Sequence, residues 1–97
     1  MVKIVWRKKA LSELNHIYEH IKQSSPKSAI KVKNKIFETV DKLEKHPEIY
    51  PVDRFKNKND GSFRAFEIYS YRITYRVSKT EISILRVRHT SREPLDY

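Results

Sequence analysis

The hydrophobic periodicity of this chain changes once, and that change limits the fold. Before Pro47 the apolar residues recur every three or four positions, as along one face of an α-helix. After Ser62 they alternate with polar residues, as in a β-strand that has one buried face. The change predicts helices in the first half of the chain and strands in the second half.

A short strand and two helices are predicted in the first half. A β-branched and aromatic run at residues 2–6 predicts the strand, and a helical stripe follows from residue 8 to about residue 23. Ser25 and Pro26 then offer an N-cap and a first-turn proline to a second helix, which Pro47 ends. Because only a few residues separate the two helices, they are predicted to turn back on each other.

Three strands are predicted in the second half, after a long polar loop between Pro47 and Ser62. Their bounds are Phe63–Ile68, Tyr71–Val77 and Glu81 to about Arg88. The whole pattern predicts a single α+β domain over residues 1–97, in the order β-α-α-β-β-β, with a helical hairpin packed on an antiparallel sheet. A loop of this length within a small domain is often mobile or functional.

Arginine is concentrated on the predicted strands. Seven of the eight arginines lie in the final 44 residues, whereas ten of the thirteen lysines precede Tyr50. Arginine presents a planar fork of donors that can hold a phosphate or a carboxylate bidentately. The sequence therefore predicts a sheet surface that binds an anionic partner. Its candidate residues are Arg64, Arg72, Arg76, Arg86, Arg88 and Arg92.

Alternation predicts the face on which each of these arginines lies. In the middle strand, Arg72 and Arg76 fall on the face opposite the apolar residues. In the last strand, Arg86 and Arg88 are expected on the same side as Ile84. One face of the sheet would then pack against the helices, while the other would show arginine.

Composition narrows the class of partner. A formal charge of +9 favours nucleic acid or an acidic protein segment over a neutral partner. The chain has no cysteine, which excludes disulfides and thiol chemistry. The apolar run at the N-terminus is too short for a signal sequence or a membrane span, so a cytoplasmic protein without a membrane partner is expected.

One string in the first predicted helix fits an inverted zinc-peptidase motif. His16, Glu19 and His20 supply the pattern H-x-x-E-H. A catalytic zinc site needs a third protein ligand and a deep cleft, and peptidases with this string are far larger than this chain. We interpret the three residues as part of the solvent-exposed side of a helix. We predict no metal site and no other cofactor.

The order and spacing of these motifs resemble the RelE/ParE superfamily of bacterial toxins, over nearly the whole chain. The matching features are Trp6 in the first strand, the Ala10-Leu11-x-x-Leu14-x-x-Ile17-Tyr18-x-x-Ile21 helix, the Ser25-Pro26-x-x-Ala29 entry, Leu43 with Pro47, the Tyr71-Arg72-Ile73-x-Tyr75-x-Val77 strand and the Ile84-x-x-Val87-x-His89-x-x-Arg92 ending. The resemblance implies the toxin of a type II toxin-antitoxin module for plasmid stabilisation. It also implies a cognate antitoxin with a disordered segment that wraps and neutralises the toxin.

The two branches of that superfamily imply different targets. RelE-like members are ribosome-dependent endoribonucleases that cut mRNA, whereas ParE-like members block DNA gyrase. Arg72, Arg92 and Tyr97 fall on positions of the RelE-like active site. However, Phe63 and Ala65 stand where RelE carries two lysines. The longer helical hairpin and the Ser-Pro entry look more like ParE, so the resemblance leans towards a gyrase inhibitor.

A metal-independent endoribonuclease is the alternative. Attack by a 2′-hydroxyl needs a base, an acid and fixed positive charge at the phosphate. His89 could serve as the base or the acid, while Arg72 and Arg92 could hold the phosphate and Tyr97 could stack on a nucleobase. In the opposing interpretation, His89 ends a strand against the helices and Tyr97 is a frayed terminus, while Arg72 and Arg76 pair with Glu67 or Glu81 across the sheet. A basic binding module without toxicity is the third hypothesis.

Overall fold

The computed structural model describes residues 2–91 and 95–97, and it confirms the predicted α+β fold and element order. The elements are β1 (Lys3–Trp6), α1 (Lys8–Ser24), α2 (Pro26–Lys42), β2 (Phe63–Ile68), β3 (Tyr71–Val77) and β4 (Glu81–His89). The two helices form a hairpin that packs on one face of a four-stranded sheet.

The helical hairpin turns at Ser25. Its extended backbone ends α1, and its Oγ accepts a hydrogen bond of 3.2 Å from the Ser28 backbone N–H in the first turn of α2. Pro26 follows at the start of α2, where no intrahelical N–H is needed. The predicted cap and proline entry are therefore confirmed. Neither helix of the described ranges is long and apolar enough to cross a membrane.

The sheet is mixed, with strand order β1-β4-β3-β2. The two pairs formed by β2, β3 and β4 are antiparallel, whereas β1 runs parallel to β4. The prediction of a wholly antiparallel sheet is therefore wrong for β1. The helical hairpin and the β2–β3 pair separate β1 from β4 in the chain, so no tight turn forces them to be antiparallel.

A β-bulge at Leu85 changes the direction of the side chains in β4. Leu85 has no partner in the register between β3 and β4. Ile84 before the bulge and Val87 after it are both buried against the helices. The prediction that Arg86 and Arg88 share a face with Ile84 is therefore wrong, because strict alternation does not continue through an extra residue.

The hydrophobic core lies between the helical hairpin and the sheet face that we call the helix face. Tyr75 is fully buried there, and its hydroxyl donates to the Pro47 carbonyl at 2.9 Å. Trp6 packs on Phe37 with ring centroids 5.0 Å apart, and both rings lie against this core. The core cluster contains Ala10, Leu14, Ile36, Val40, Leu43, Phe66, Ile68, Ile73, Tyr75, Ile82, Ile84 and Val87.

The opposite side of the sheet, which we call the outer face, is covered by two segments without helix or strand. Val52 forms an antiparallel bridge with Arg64 at the edge of β2. The chain then folds over the outer face as residues 51–60, which we call the covering loop. Residues 95–97, the tail, lie against this loop, because Tyr97 exchanges backbone hydrogen bonds with it.

Candidate functional site

Short-range hydrogen bonds shape the covering loop. The side-chain amide of Asn59 donates to the carbonyls of Asp53 at 3.1 Å and Phe63 at 2.9 Å. Its carbonyl oxygen accepts from the Gly61 N–H at 2.8 Å, and Gly61 adopts a φ of 94°, which favours glycine. The polar run of the sequence therefore forms a compact loop that holds Asp53 against the sheet.

Arg72 lies at the centre of the outer face and is almost completely buried. Its side chain is 9% exposed and forms ion pairs with Asp53 at 2.7 Å and Glu67 at 2.8 Å. The Phe55 ring covers the guanidinium, with its centroid 4.7 Å from Cζ. The pairing with Glu67 agrees with the structural interpretation of the sequence, whereas the contacts with the covering loop were not anticipated.

Asp53 connects the covering loop, the sheet and the tail. Its side chain is completely buried and accepts hydrogen bonds from Arg72, from the Phe55 backbone N–H at 3.0 Å and from the Tyr97 hydroxyl at 2.7 Å. Burial alone would raise the pKa of Asp53, but these hydrogen bonds outweigh it and lower the pKa. The carboxylate therefore stays charged at neutral pH and keeps Arg72 in place.

Tyr97 holds the tail on the covering loop. Its backbone N–H donates to the Phe55 carbonyl at 3.1 Å, and its carbonyl accepts from the Asn57 N–H at 2.7 Å. Burial and the nearby Asp53 carboxylate raise the pKa of the Tyr97 phenol, so the hydroxyl remains a donor. The prediction of a frayed terminus does not describe this residue, because the structure places it in an ordered contact.

Arg88 lies beside Arg72 on the outer face and is 5% exposed. The Tyr97 ring covers it, with 5.2 Å between Cζ and the ring centroid. Burial and the neighbouring Arg86 lower the pKa of the Arg88 guanidinium, which still remains charged because arginine titrates far above neutral pH. Its Nε and Nη2 atoms are buried without a hydrogen-bond partner in the described structure.

The other predicted arginines do not join this group. Arg64 points away from the outer face and donates to the Tyr50 carbonyl at 2.6 Å. Arg86 donates hydrogen bonds of 2.9 to 3.1 Å from Nε and Nη2 to the carboxylate of Glu13 in α1. Arg76 is exposed on the outer face. The prediction of one exposed surface that contains all the arginines is therefore wrong, since burial and local ion pairs take up most of them.

The predicted catalytic residues do not converge among the described residues. His89 shares the helix face with Val87, whereas Arg72 lies on the outer face. His89 is exposed, and its Nδ1 lies 2.6 Å from Ser91 Oγ. Tyr97 does approach Arg72, through the Asp53 carboxylate that both contact. Arg92 lies outside the described residues.

A groove of about 840 Å³ runs between α1 and the edge of β4. Because β1 pairs with Glu81–Ile84, the later part of β4 has a strand partner on one side only among the residues that the structure describes. The Glu13 carboxylate accepts from the Val87 N–H at this edge, at 3.0 Å. Most of the residues that line the groove are basic or polar, although much of the surface that they present is apolar; they are Lys8, Lys9, Ser12, Glu13, His16, Ile17, Val87, Arg88 and His89.

Sequence analysis missed Asp53 and Glu13, the two acids that organise these regions. Asp53 is 19 residues from Arg72 in the chain, and Glu13 is 73 residues from Arg86. No local pattern connects partners at such separations. The one available signal was the long loop itself, which was predicted to be mobile or functional but not to cover the sheet.

Comparisons with known proteins identify relatives of the chain. The family model described as the ParE toxin of the type II toxin-antitoxin system parDE matches residues 4–94. A solved chromosomal ParDE toxin-antitoxin system from P. aeruginosa is similar, with 26% identity, a TM-score of 0.73 and coverage of 94% of this chain and 98% of that chain. The YoeB dimer from Staphylococcus aureus shares the fold, with 16% identity, a TM-score of 0.59 and coverage of 91% and 95%. No curated protein matches the sequence.

Proposed function

Because the chain belongs to the ParE toxin family of type II toxin-antitoxin systems, we propose that it poisons its host by inhibiting DNA gyrase. One observation carries this choice of target over RNA cleavage. The best-placed candidate for a phosphate-binding residue, Arg72, is held by two carboxylates on the outer face, and the candidate base His89 lies on the helix face. A toxin that acts by binding a protein does not need these groups to converge.

The chemistry of RNA cleavage explains why this separation matters. The base, the acid and the positive charge must all reach one phosphate within hydrogen-bond distance. In the described structure the carboxylates of Asp53 and Glu67 lie 2.7 and 2.8 Å from Arg72, where they would repel a phosphate. Two anions beside the arginine therefore favour a structural role for it.

A supercoiling assay with purified gyrase tests the proposal. We expect the purified protein to inhibit supercoiling and to leave ribosome-bound message intact in a translation reaction. Normal supercoiling at saturating protein would contradict the proposal. Cells that tolerate high expression without arrest would instead support the third hypothesis, a basic binding module without toxicity.

The His89→Ala variant separates the two modes of toxicity. His89 is exposed and contacts the rim of the core through Tyr71 alone, with ring centroids 5.3 Å apart among the described residues, so its loss should leave the fold intact. A gyrase inhibitor should keep its toxicity in this variant, whereas an endoribonuclease with His89 as base should lose about 100-fold or more in cleavage rate. Lys79→Ala is the matched control, because Lys79 is also exposed and lies in the β3–β4 turn.

The ribosome-dependent endoribonuclease remains the second candidate because cations stack on aromatic rings on the outer face. Arg72 lies over Phe55, Arg88 lies over Tyr97, and the ammonium group of Lys56 lies 5.2 Å from the Tyr97 ring. Alternating cations and rings are a common feature of single-stranded nucleic-acid surfaces. Cleavage of mRNA by the wild-type protein, together with its loss in His89→Ala, would favour this candidate over gyrase inhibition.

A cognate antitoxin is the partner that we propose for the groove beside α1. The outer face is already occupied by the covering loop and the tail, whereas the groove is open and presents Lys8, Lys9 and His16 to an acidic segment. The edge of β4 at residues 85–89 can also accept an added strand, which would replace Glu13 at the Val87 N–H. Co-expression with the neighbouring small gene should yield a stable complex with slowed amide exchange at residues 85–89. Slowed exchange only at the covering loop would contradict this placement.

A further inference from the structure

The bend of the helical hairpin carries a large share of the positive charge of the chain. Residues 20–37 include five lysines and no aspartate or glutamate, whereas the formal net charge of the whole chain is +9. All five lysines are exposed, and no ion pair of the described residues includes any of them. They are Lys22, Lys27, Lys31, Lys33 and Lys35. The bend is therefore a concentrated cationic surface.

Three of these lysines follow one side of α2. Lys27, Lys31 and Lys35 are four residues apart, so they lie along the same side of the helix. A rise of about 1.5 Å per residue separates neighbours by about 6 Å along the helix axis. The buried residues Ile36 and Val40 point into the core from the other side of α2. We call Lys27, Lys31 and Lys35 the lysine row.

The start of α2 adds to the positive charge of the lysine row. Lys27 directly follows Pro26 in the first turn, and this turn has no acidic residue. The N–H groups of a helix N-terminus already carry a partial positive charge, so a cation beside them is unfavourable for the helix. An acidic residue here would stabilise α2, whereas Lys27 makes the turn more attractive to an external anion.

An exposed tyrosine in a strained conformation lies beside the lysine row. Tyr69 belongs to the β2–β3 turn, is 57% exposed and has a φ of 55°. A bulky side chain rarely adopts this left-handed conformation, and strain of this kind is concentrated at functional surfaces. The ammonium group of Lys31 lies 5.9 Å from the centroid of the Tyr69 ring. The turn therefore places an aromatic hydroxyl group next to the cations of α2.

We propose that the lysine row and Tyr69 bind the phosphate backbone of duplex DNA. Every second phosphate of a strand advances by about 6.8 Å along the duplex axis, which is close to the spacing of the lysine row. Each ammonium group neutralises one phosphate, and the Tyr69 hydroxyl donates to another. The choice of duplex DNA rests on the proposed inhibition of gyrase, because gyrase acts on duplex DNA.

The use of lysine predicts contact without sequence preference. Arginine presents a fixed fork to one acceptor pair, whereas lysine is a point charge on a flexible stem. Contacts with the DNA backbone position a protein on the duplex but do not read its bases. A phosphate backbone offers charge at this spacing in any sequence, whereas a protein segment does so only with a matching arrangement of acids. Regular spacing therefore favours DNA over an acidic protein segment.

Fluorescence anisotropy of a labelled DNA duplex of mixed sequence, titrated with the purified full chain, tests this surface. We expect the triple variant Lys27→Gln, Lys31→Gln, Lys35→Gln to bind about tenfold more weakly at physiological salt, or weaker still. The slope of log affinity against log salt should become shallower by about 2.7, since each lost phosphate contact removes about 0.9. Glutamine is a helix former like lysine, so α2 should stay folded.

A second triple variant is the matched control. Lys3→Gln, Lys58→Gln, Lys79→Gln removes the same charge from exposed positions at the end of the sheet opposite to Tyr69. This variant should keep the salt dependence of the wild type. The proposal is overturned if both triple variants weaken binding equally, or if unlabelled duplex RNA or polyglutamate competes more strongly than unlabelled duplex DNA.

Tyr69→Asn separates a binding role from a structural one. Asparagine tolerates the left-handed conformation, so the variant should be at least as stable as the wild type in urea denaturation. It should nevertheless bind the duplex about threefold more weakly, because one hydrogen bond to phosphate is lost. Unchanged DNA binding by Tyr69→Asn would overturn the role of Tyr69.

Supercoiling assays with the same proteins distinguish this surface from the proposed function. If DNA binding depends on the lysine row but the wild type leaves supercoiling normal, gyrase inhibition is contradicted and the DNA surface stands. If the wild type inhibits supercoiling but DNA binding does not depend on the lysine row, the DNA surface is contradicted and gyrase inhibition stands.

Discussion

The two faces of the sheet are stabilised by different forces. On the helix face, side chains such as Ile36, Ile73 and Tyr75 are fully buried in a continuous apolar cluster. On the outer face, the buried groups include the ions Arg72 and Asp53, which are held by short hydrogen bonds. Hydrophobic burial is non-directional and tolerates a change of shape, whereas a buried ion pair depends on both partners. The comparison predicts that conservative substitutions are tolerated on the helix face but not on the outer face.

The largest effect is expected from Asp53→Ala. Removal of this carboxylate leaves Arg72 charged and buried with Glu67 as its remaining acidic contact, and we expect a loss of about 3–5 kcal/mol in the free energy of unfolding. Urea denaturation measures this loss. Asp41→Ala, at an exposed position of α2, is the control and should change stability by less than about 0.5 kcal/mol. Similar losses of stability in both variants would show that the buried Asp53 carboxylate contributes no more to stability than an exposed one.

Truncation of a core side chain should lower the free energy of unfolding by a comparable or smaller amount. A conservative substitution at the same position should cost much less. We expect Ile36→Ala to cost about 2–5 kcal/mol and Ile36→Val only about 0.5–1.5 kcal/mol, because most of the buried volume is kept. On the outer face, Asp53→Asn keeps the shape of the side chain but removes its charge. The free energy of unfolding of this variant should therefore be close to that of Asp53→Ala. Recovery of stability in Asp53→Asn would remove the distinction between the two faces.

Tyr97→Phe should have a smaller effect on stability. The substitution removes the 2.7 Å hydrogen bond to Asp53 but keeps the ring over Arg88, so we expect a loss of about 1.5 kcal/mol. A double-mutant cycle with Asp53→Asn measures the coupling between the two residues. The two losses should be less than additive, and strict additivity would mean that the hydrogen bond does not contribute to stability.

The smallest expected effect is a dependence of the free energy of unfolding on pH in the acid range. The pKa of Asp53 is lowered in the folded chain relative to the usual value of 3.8. Its contribution is therefore present above pH 3.8 and is lost as the pH falls through the folded pKa. The difference in stability between the wild type and Asp53→Asn should accordingly shrink below about pH 4. A difference that stays constant between pH 7 and pH 3 would show that Asp53 is not stabilised as an anion.

The elements that could be predicted from sequence are those fixed by local periodicity. The Ser25 cap, the proline entry of α2 and the alternation of β3 depend on residues within one or two turns of each other, and all three are confirmed. The faces of β4 could not be predicted, because the bulge at Leu85 results from pairing with β3 and not from the sequence of β4 alone.

The candidate site was predictable in its residue types but not in its arrangement. Sequence analysis singled out Arg72, Arg88 and Tyr97 as candidate catalytic or anion-binding residues, and Arg72 and Arg88 lie side by side on the outer face. Their burial could not be foreseen, because it depends on a loop and a tail that reach across the sheet from distant parts of the chain. Neither segment has the periodicity that would reveal where it packs. The functional roles of these residues remain predictions.

The contact between Glu13 and the Val87 N–H has a consequence for solubility. An uncovered strand edge invites pairing with the strands of other molecules, which leads to aggregates. At Val87 the Glu13 side chain takes the place that a foreign backbone carbonyl would otherwise occupy. We therefore expect this carboxylate to lower the tendency of the isolated protein to aggregate through the edge of β4.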